Sequence, residues 1–357
     1  MRILILANND VGLYKFRKML IQKLLDNHKV MISLPYGELV QPLINAGCEF
    51  IDTQIDRRGV NPITDVKLLL DYMWILKKEK PSLVITYTIK PNIYGGLACR
   101  FFKIPYAINI TGLGTAFQKD GLIRKIVVAL YKIACKNAKV VFFENKENAF
   151  LFEREKIVRK KQVCQLNGAG VDLEEYSVMD YPQGKKIKFL FIGRVMKEKG
   201  INELFQAMKR LVADGVDCEL DVVGGYEEDY KDMMEDCEKV GWLHYHGYQK
   251  DVRPFIKQCH CFVLPSWHEG MANTNLECAA SGRPIITSNI AGCKEAVVEG
   301  KSGFLVECKN IDSLYLAMKK FVELSYTERK EMGNFGRRYM ESNFDKRKVV
   351  EKTLSNI

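Results

Sequence analysis

Several features that would announce a function are missing from this sequence. No apolar run approaches the roughly 18–20 residues that cross a bilayer, and the amino terminus, MRILILANND, breaks into a polar loop without a signal-peptide core. The chain therefore reads as cytoplasmic. There is no G-x-G-x-x-G, so the dinucleotide fingerprint is excluded, and no Asp-x-Asp occurs at any position. The eleven cysteines are odd in number and follow no repeated spacing. Cys259-His260-Cys261 is the one close pair and has no second half to complete a zinc site, so the cysteines read as small buried hydrophobes in a reducing compartment. No short-period repeat suggests a solenoid.

What is present describes a soluble globular chain. At 357 residues, 47% hydrophobic and 27% charged, the sequence supplies two cores of ordinary size. The net charge of +10 is uneven: residues 1–180 hold 27 Lys/Arg against 18 Asp/Glu, and the remainder 27 against 26. A basic first half fits either a solvated surface or attraction to an anionic partner, lipid headgroups or nucleic acid. No nucleic-acid-binding module accompanies the bias.

Short apolar runs alternate with amphipathic stretches along the whole chain. Strands are expected at 2–7, 30–34, 49–52, 83–87, 106–110, 140–143 and 162–166, with helices at 13–25, 64–78 and 122–136 among them. After the turn-rich, charged stretch 176–186 the pattern begins again. Strands then fall at 187–192, 218–223, 242–246, 261–264 and near 284–287, and helices at 201–212, 252–258, 274–280, 311–323, 326–342 and 346–355. Such alternation implies parallel sheets covered by helices on both faces. Two domains follow, 1–178 and 179–345, with a cleft between their strand ends.

Chemistry gathers on loops that follow strands. Glu269 and Glu277 lie eight residues apart, one on the loop after 261–264 and one about a turn into the next helix. Between them, Gly270, Met271, Ala272, Asn273 and Thr274 would present backbone amides at a helix amino terminus, a ready anion site. A helix cap plus a surface glutamate would give the same spacing. Gly193-Arg194-Val-Met-Lys-Glu-Lys199-Gly200 follows the first strand of the second half. Its arginine can fork onto phosphate and its lysine adds a point charge, together neutralising a diphosphate leaving group; a solvated basic turn is the alternative. In the first half, Asn8–Gly12, Thr88–Asn92 and Thr111–Gly114 follow strands and carry polar or glycine residues, or serve only as connections. The helix 122–136 interleaves lysines with isoleucine, valine and leucine, as a core helix with a solvated face or an interfacial helix would.

Taken together, Gly193-Arg194…Glu198-Lys199-Gly200 and Pro265-Ser…Glu269-Gly270…Leu276-Glu277…Ala280-x-Gly282-x-Pro284-Ile-Ile closely resemble the retaining glycosyltransferases of family 4. Ser288-Asn-Ile-Ala-Gly-Cys-Lys-Glu-Ala and Gly112-Leu-Gly114 are similar to members that build capsule, O-antigen and lipid-linked glycans. These include bacterial transferases that add N-acetylgalactosamine to a polyprenyl-diphosphate-linked sugar. The resemblance spans nearly the whole chain. It implies an α/β GT-B fold: two Rossmann-like domains facing a central cleft, acceptor on the first and donor on the second. It implies in addition that the terminal helix 346–357 crosses back to close the first.

It also implies site roles. Arg194 and Lys199 would hold the donor diphosphate, Glu277 the ribose, and Glu269 the donor sugar beside its reacting carbon. Amides around Gly270–Thr274 would hold sugar hydroxyls, and those near Thr274 and Asn275 the phosphates. Gly12 would leave room for the diphosphate, and Tyr245, His246 and Gly247 would read the base largely through backbone. Two departures stand out: Ala272 replaces a common proline, and Thr111 replaces a common histidine, so Lys90, Asn92 or Thr111 would orient sugar or acceptor.

The expected reaction moves a hexose or N-acetylhexosamine, N-acetylgalactosamine-like, from a UDP-sugar to a polyprenyl-diphosphate-linked saccharide with retention. No cofactor and no metal are expected, in keeping with the missing Asp-x-Asp, and no nucleic acid. The partner surface would be an anionic membrane, at the inner face of the plasma membrane. A sugar-nucleotide 2-epimerase of the same fold, or a non-enzymatic basic membrane- or nucleic-acid-binding protein, are the alternatives.

Overall fold

The structure is a computed structural model that describes residues 1–56, 59, 61–114, 117 and 121–357. It contains two compact units, Met1–Ala169 with Arg347–Ile357, and Gly170–Lys346.

Unit one runs β1 (Arg2–Leu6), α1 (Asp10–Leu25), β2 (Lys29–Leu34), α2 (Val40–Asn45), β3 (Glu49–Asp52), α3 (Pro62–Glu79) and β4 (Leu83–Tyr87). It continues with α4 (Gly96–Phe102), β5 (Tyr106–Ile110), α5 (Leu122–Cys135), β6 (Val140–Phe143), α6 (Lys146–Arg154) and β7 (Val163–Gln165). The seven strands form one sheet in the order β3-β2-β1-β4-β5-β6-β7, every described pair parallel. Helices cover both faces, so central strands such as LVITY are buried on both sides and read as continuous apolar runs. Leu68, Tyr72, Val128 and Tyr131 pack on one face. Leu13, Leu20 and Val350 pack on the other.

Unit two runs β8 (Ile187–Ile192), α7 (Ile201–Ala213), β9 (Cys218–Val223), α8 (Lys231–Val240), β10 (Leu243–Tyr245), α9 (Arg253–Gln258) and β11 (Cys261–Leu264). Then come α10 (Asn273–Ala280), β12 (Ile285–Ser288), β13 (Gly303–Val306), α11 (Ile311–Glu323) and α12 (Tyr326–Asn343). Its six parallel strands are ordered β10-β9-β8-β11-β12-β13. The final helix, α13 (Lys346–Leu354), carries Val349 and Val350 into the core of unit one.

Local chemistry sets the helix ends. Asn9 caps α1 by accepting from the Gly12 amide. Asn61 caps α3, with Pro62 in its first turn, and Ser325 and Glu328 form a capping box on α12. All eleven cysteines are free, and all but the half-buried Cys308 are buried. No helix among the described residues is long and apolar enough to cross a membrane.

Candidate active site

The sheet order of unit two decides where its site lies. From β8 the chain winds outward through β9 to β10, then returns to place β11 on the other side of β8. Loops leaving the carboxyl ends of β8 and β11 therefore diverge around a crevice, the position where open α/β sheets take ligands. Those two loops are Gly193–Gly200 and Pro265–Ala272. The Trp267 amide donates to the Glu198 carbonyl at 2.9 Å, joining them. Gly200 has φ +73°, and a Cβ there would stand 2.1 Å from the Pro265 carbonyl oxygen. Only glycine permits so close an approach.

Glu269 lies where these loops meet. Its Oε1 accepts from the Lys199 ammonium and from Ser266 Oγ, the latter at 2.9 Å. Both charged side chains are largely covered, 18% exposed for Lys199 and 13% for Glu269, so their attraction is stronger than at a wet surface. Lysine carries three donors, and this bond uses one. Arg194 is half exposed, with Nη1 3.3 Å from Glu227 Oε2, leaving the rest of its donor fork for an anion. Glu227 belongs to the loop after β9, which is tied to the arginine loop through Val195 N–H to Gly225 O at 2.9 Å.

The amide array around α10 is smaller than the sequence implies. The Ala272 amide donates to the Gly292 carbonyl at 2.7 Å, and the Asn275 amide to the Ala272 carbonyl at 3.0 Å. Neither is directed at a ligand, which corrects the expectation for those two positions. Asn275 is fully buried, its Nδ2 donating to Thr287 Oγ1 at 3.1 Å. Met271 and Ala272 also turn into the core. Gly270, Asn273, Thr274 and Glu277 stay partly exposed, and no side chain caps α10. Glu277 follows Asn273 by four residues and so shares its helix face. Tyr176 lies beside it, its hydroxyl pKa pushed up by burial first and by the Glu277 charge second.

The segment after β10 also differs from expectation. The Tyr245 amide donates to Glu238 Oε1 at 2.8 Å, and the His246 amide to the Val222 carbonyl at 3.0 Å. The carbonyls of His246 and Gly247 accept from Gln249 Nε2 and the Gly224 amide. Two of the three amides, those of Tyr245 and His246, are thus engaged within the protein. The His246 ring is held by Asp221 at 2.6 Å, and the Tyr245 ring lies 4.7 Å from Tyr226.

In unit one the winding reverses between β1 and β4. Gly12 is not in the loop after β1 but in the first turn of α1, which starts at Asp10 rather than Leu13, and its amide is held by Asn9 Oδ1 at 2.6 Å. Lys90 pairs with Asp65 of α3 at 2.7 Å, and Tyr94 donates to the same carboxylate at 2.9 Å. Asn92 is 1% exposed; it accepts from Thr86 Oγ1 at 2.7 Å and donates to the Asn109 carbonyl at 2.8 Å. It ties β4 to β5 and is closed off from any ligand, a correction to its expected role. Thr111 is half exposed just past β5. Thr88, at φ +71° on a β-branched residue, opens a π-helical turn at Pro91–Gly95.

Sequence reading assigned no role to Glu227, Ser266 or Gly292. Gly292 has φ +83°, and a Cβ there would lie 2.7 Å from the carbonyl oxygens of both Glu269 and Gly270. The visible signals were the Gly224-Gly225 pair after β9 and the Ala291-Gly292 turn after β12.

Residues 179–339 match the family described as glycosyl transferases group 1, and residues 2–145 the family described as glycosyl transferase 4-like. The chain is 29% identical over 332 residues to the N,N'-diacetylbacillosaminyl-diphospho-undecaprenol alpha-1,3-N-acetylgalactosaminyltransferase of Campylobacter jejuni, covering 88% of this chain and 87% of that one. It is 29% identical over 285 residues to the UDP-Gal:alpha-D-GlcNAc-diphosphoundecaprenol alpha-1,3-galactosyltransferase of Escherichia coli, covering 74% and 73%. Among solved structures, a glycosyltransferase from Rickettsia africae superposes with a TM-score of 0.82 at 18% identity, over 99% of this chain and 97% of that one. The two Rossmann-like domains expected of a GT-B protein are those observed.

Proposed function

The chain belongs to the glycosyltransferases, with a 4-like first domain and a group 1 second domain, and we propose that it moves a hexose or N-acetylhexosamine from a UDP-sugar to a polyprenyl-diphosphate-linked saccharide with retention. The observation that carries this reading is the meeting of Lys199 and Glu269 at the winding reversal of unit two. A cation and a carboxylate side by side suit the two ends of the bond that breaks. The activities of the Campylobacter jejuni and Escherichia coli relatives support the acceptor class, and the latter the UDP donor.

In this mechanism the donor diphosphate lies against Arg194, Lys199 and the amino terminus of α10. As the bond from anomeric carbon to phosphate oxygen breaks, negative charge grows on the leaving UDP. Those groups neutralise it with hydrogen bonds already in place. Positive charge grows on the sugar, and Glu269 stabilises it while holding a sugar hydroxyl. The acceptor hydroxyl attacks from the leaving-group face, forms the new carbon–oxygen bond and passes its proton to a donor phosphate oxygen. Glu277 holds the ribose, and the ring of Tyr245 offers a face for the base. Unit one takes the acceptor, with Thr111 the exposed candidate among its expected residues. Metal independence is part of the proposal, since Arg194 and Lys199 supply the countercharge. The acceptor's lipid places the protein at the inner face of the plasma membrane.

The test incubates the protein with UDP- and GDP-sugars, with and without a short-chain lipid-diphosphate saccharide, in the presence and absence of EDTA. Mass spectrometry detects transfer, and NMR assigns the new anomeric configuration. Retained transfer from a UDP-sugar in EDTA is expected. Inversion, a metal requirement, or conversion of the nucleotide sugar without acceptor would each overturn the corresponding part.

A further inference from the structure

One helical layer of unit one has an outer surface unlike the rest. On α3, Ile63, Val66, Leu70 and Trp74 recur at i, i+3, i+7 and i+11 and face solvent, with Ile63 79% and Trp74 60% exposed. The opposite side of the same helix, Leu68, Tyr72, Ile75 and Leu76, fills the core. The stripe is therefore additional to what folding requires. On α5, Leu122, Ile126, Ala129 and Ile133 recur at i, i+4, i+7 and i+11 and are likewise exposed, Leu122 at 73%. Both helices pack against α4, whose Phe101 is 69% exposed in its last turn. Scattered surface leucines are ordinary, but two parallel-patterned stripes on one layer call for a partner.

The charges beside the stripes identify its chemistry. Lys67, Lys77 and Lys78 flank the α3 stripe, with the Lys78 ammonium 4.8 Å above the Trp74 ring. Lys125, Lys132 and Lys136 flank the α5 stripe, and α5 contains no acidic residue. The three acids of α3 are half buried: Asp65 is held by Lys90 and Tyr94, Glu79 by Arg2, and Asp71 sets one negative charge against the three lysines. An apolar strip edged by lysines is the pattern of a helix lying in a bilayer interface, its stems snorkelling to anionic headgroups. A second copy of this chain is disfavoured, because a self-complementary contact would press these lysines against one another.

We infer that the outer faces of α3 and α5 together form a docking surface for an anionic lipid bilayer. The inference deepens the proposed use of a lipid-linked acceptor, but it stands on the surface itself. Docking buries Trp74 at the level of the headgroups and presents unit one to membrane-held substrate.

The test uses vesicles of phosphatidylglycerol with phosphatidylcholine, and of phosphatidylcholine alone, in co-sedimentation. Wild type should bind the anionic vesicles and bind phosphatidylcholine at least tenfold more weakly. The Leu70→Glu/Trp74→Glu and Lys125→Glu/Lys132→Glu variants should each lose at least tenfold in affinity. All are surface changes, so circular dichroism and turnover on a short-chain, water-soluble acceptor should match wild type. Vesicle binding unchanged in both variants would overturn the surface, as would a wild-type dimer that Leu70→Glu/Trp74→Glu converts to monomer. Vesicle binding lost in the variants, with no transfer by wild type to any acceptor, would uphold the surface and sink the proposed reaction instead.

Discussion

The Lys199 ammonium donates to Glu269, joining loops that leave two neighbouring strands of unit two. The contact makes each group depend on the other while giving them separable tasks. Glu269→Gln keeps the shape and a hydrogen-bond acceptor but removes the charge that would face a cationic sugar. Turnover should fall by about 10²-fold or more with UDP affinity unchanged, since a charge aimed at the transition state does little for the ground state. Lys199→Ala should instead weaken UDP binding, by roughly ten- to a hundredfold if one charge-assisted bond of about 1.5–3 kcal/mol is lost. Calorimetry with UDP, set beside turnover, reads the two effects separately. Equal loss of turnover and UDP affinity in Glu269→Gln would contradict the division of roles.

Gly292 controls where Glu269 stands. Its backbone is left-handed, and any Cβ would meet the Glu269 and Gly270 carbonyls at 2.7 Å. Gly292→Ala therefore costs about 1–2 kcal/mol for the conformation alone, and the glutamate loop must also shift. A displacement of about 1 Å at a reacting group can cost on the order of 10²-fold in rate. Turnover should drop far more than the melting temperature suggests. A variant with wild-type turnover would show that the loop tolerates movement.

Twelve of the thirteen strands were legible to within a residue, because burial on both faces turns IKFLFI and LVITY into unbroken apolar runs, whereas the short edge strand β13 was not expected. Helix starts were less so. Asn9 and Asp10 look like loop, yet the Asn9 cap starts α1 at Asp10, three residues before the expected start at Leu13. The two loops of the candidate site were identifiable as strand-to-helix connections. Their adjacency was expected through the family resemblance rather than from local pattern, since β9 and β10 separate β8 from β11 in sequence and the sheet order brings them together. Lys90 and Asn92 were assigned to a ligand because a polar loop after a strand resembles a site. Their partners Asp65 and Asn109 come from α3 and β5, which no local pattern displays, and Thr86 from the strand just before the loop.

Asn92 gives that correction a measurable form. Asn92→Ala removes partners from the Thr86 hydroxyl and the Asn109 carbonyl, both buried. The Thr86 hydroxyl keeps only a 3.5 Å contact to the Ala107 carbonyl, and a buried polar group that loses its partner costs about 1–3 kcal/mol, so the variant should unfold at clearly lower urea. Acceptor KM should stay unchanged in the protein that remains folded. A raised KM with normal stability would restore the residue to the acceptor site.

His260 makes unit two sensitive to acid. Burial first, then the charges of Arg329, Arg283 and Lys188, lower its pKa from 6.5 to about 4, with Glu219 opposing. Its Nδ1 accepts from the Lys188 amide at 3.0 Å, so a proton there would face another donor. The folded chain therefore keeps the ring neutral where the unfolded chain protonates it. Between about pH 6.5 and 4 the unfolded state holds more protons, so stability falls with falling pH. At 1.36 kcal/mol per unit, the full loss is about 3 kcal/mol. Below about pH 4 the native ring protonates too and this contribution levels off. Glu219, its carboxyl resisted by burial yet carried down to about 2 by Lys186 and Lys188, acts in a lower window. Urea unfolding of wild type should show the decline from pH 6.5 to 4, and His260→Asn should flatten it. An equal slope in both proteins would assign the acid sensitivity to other groups.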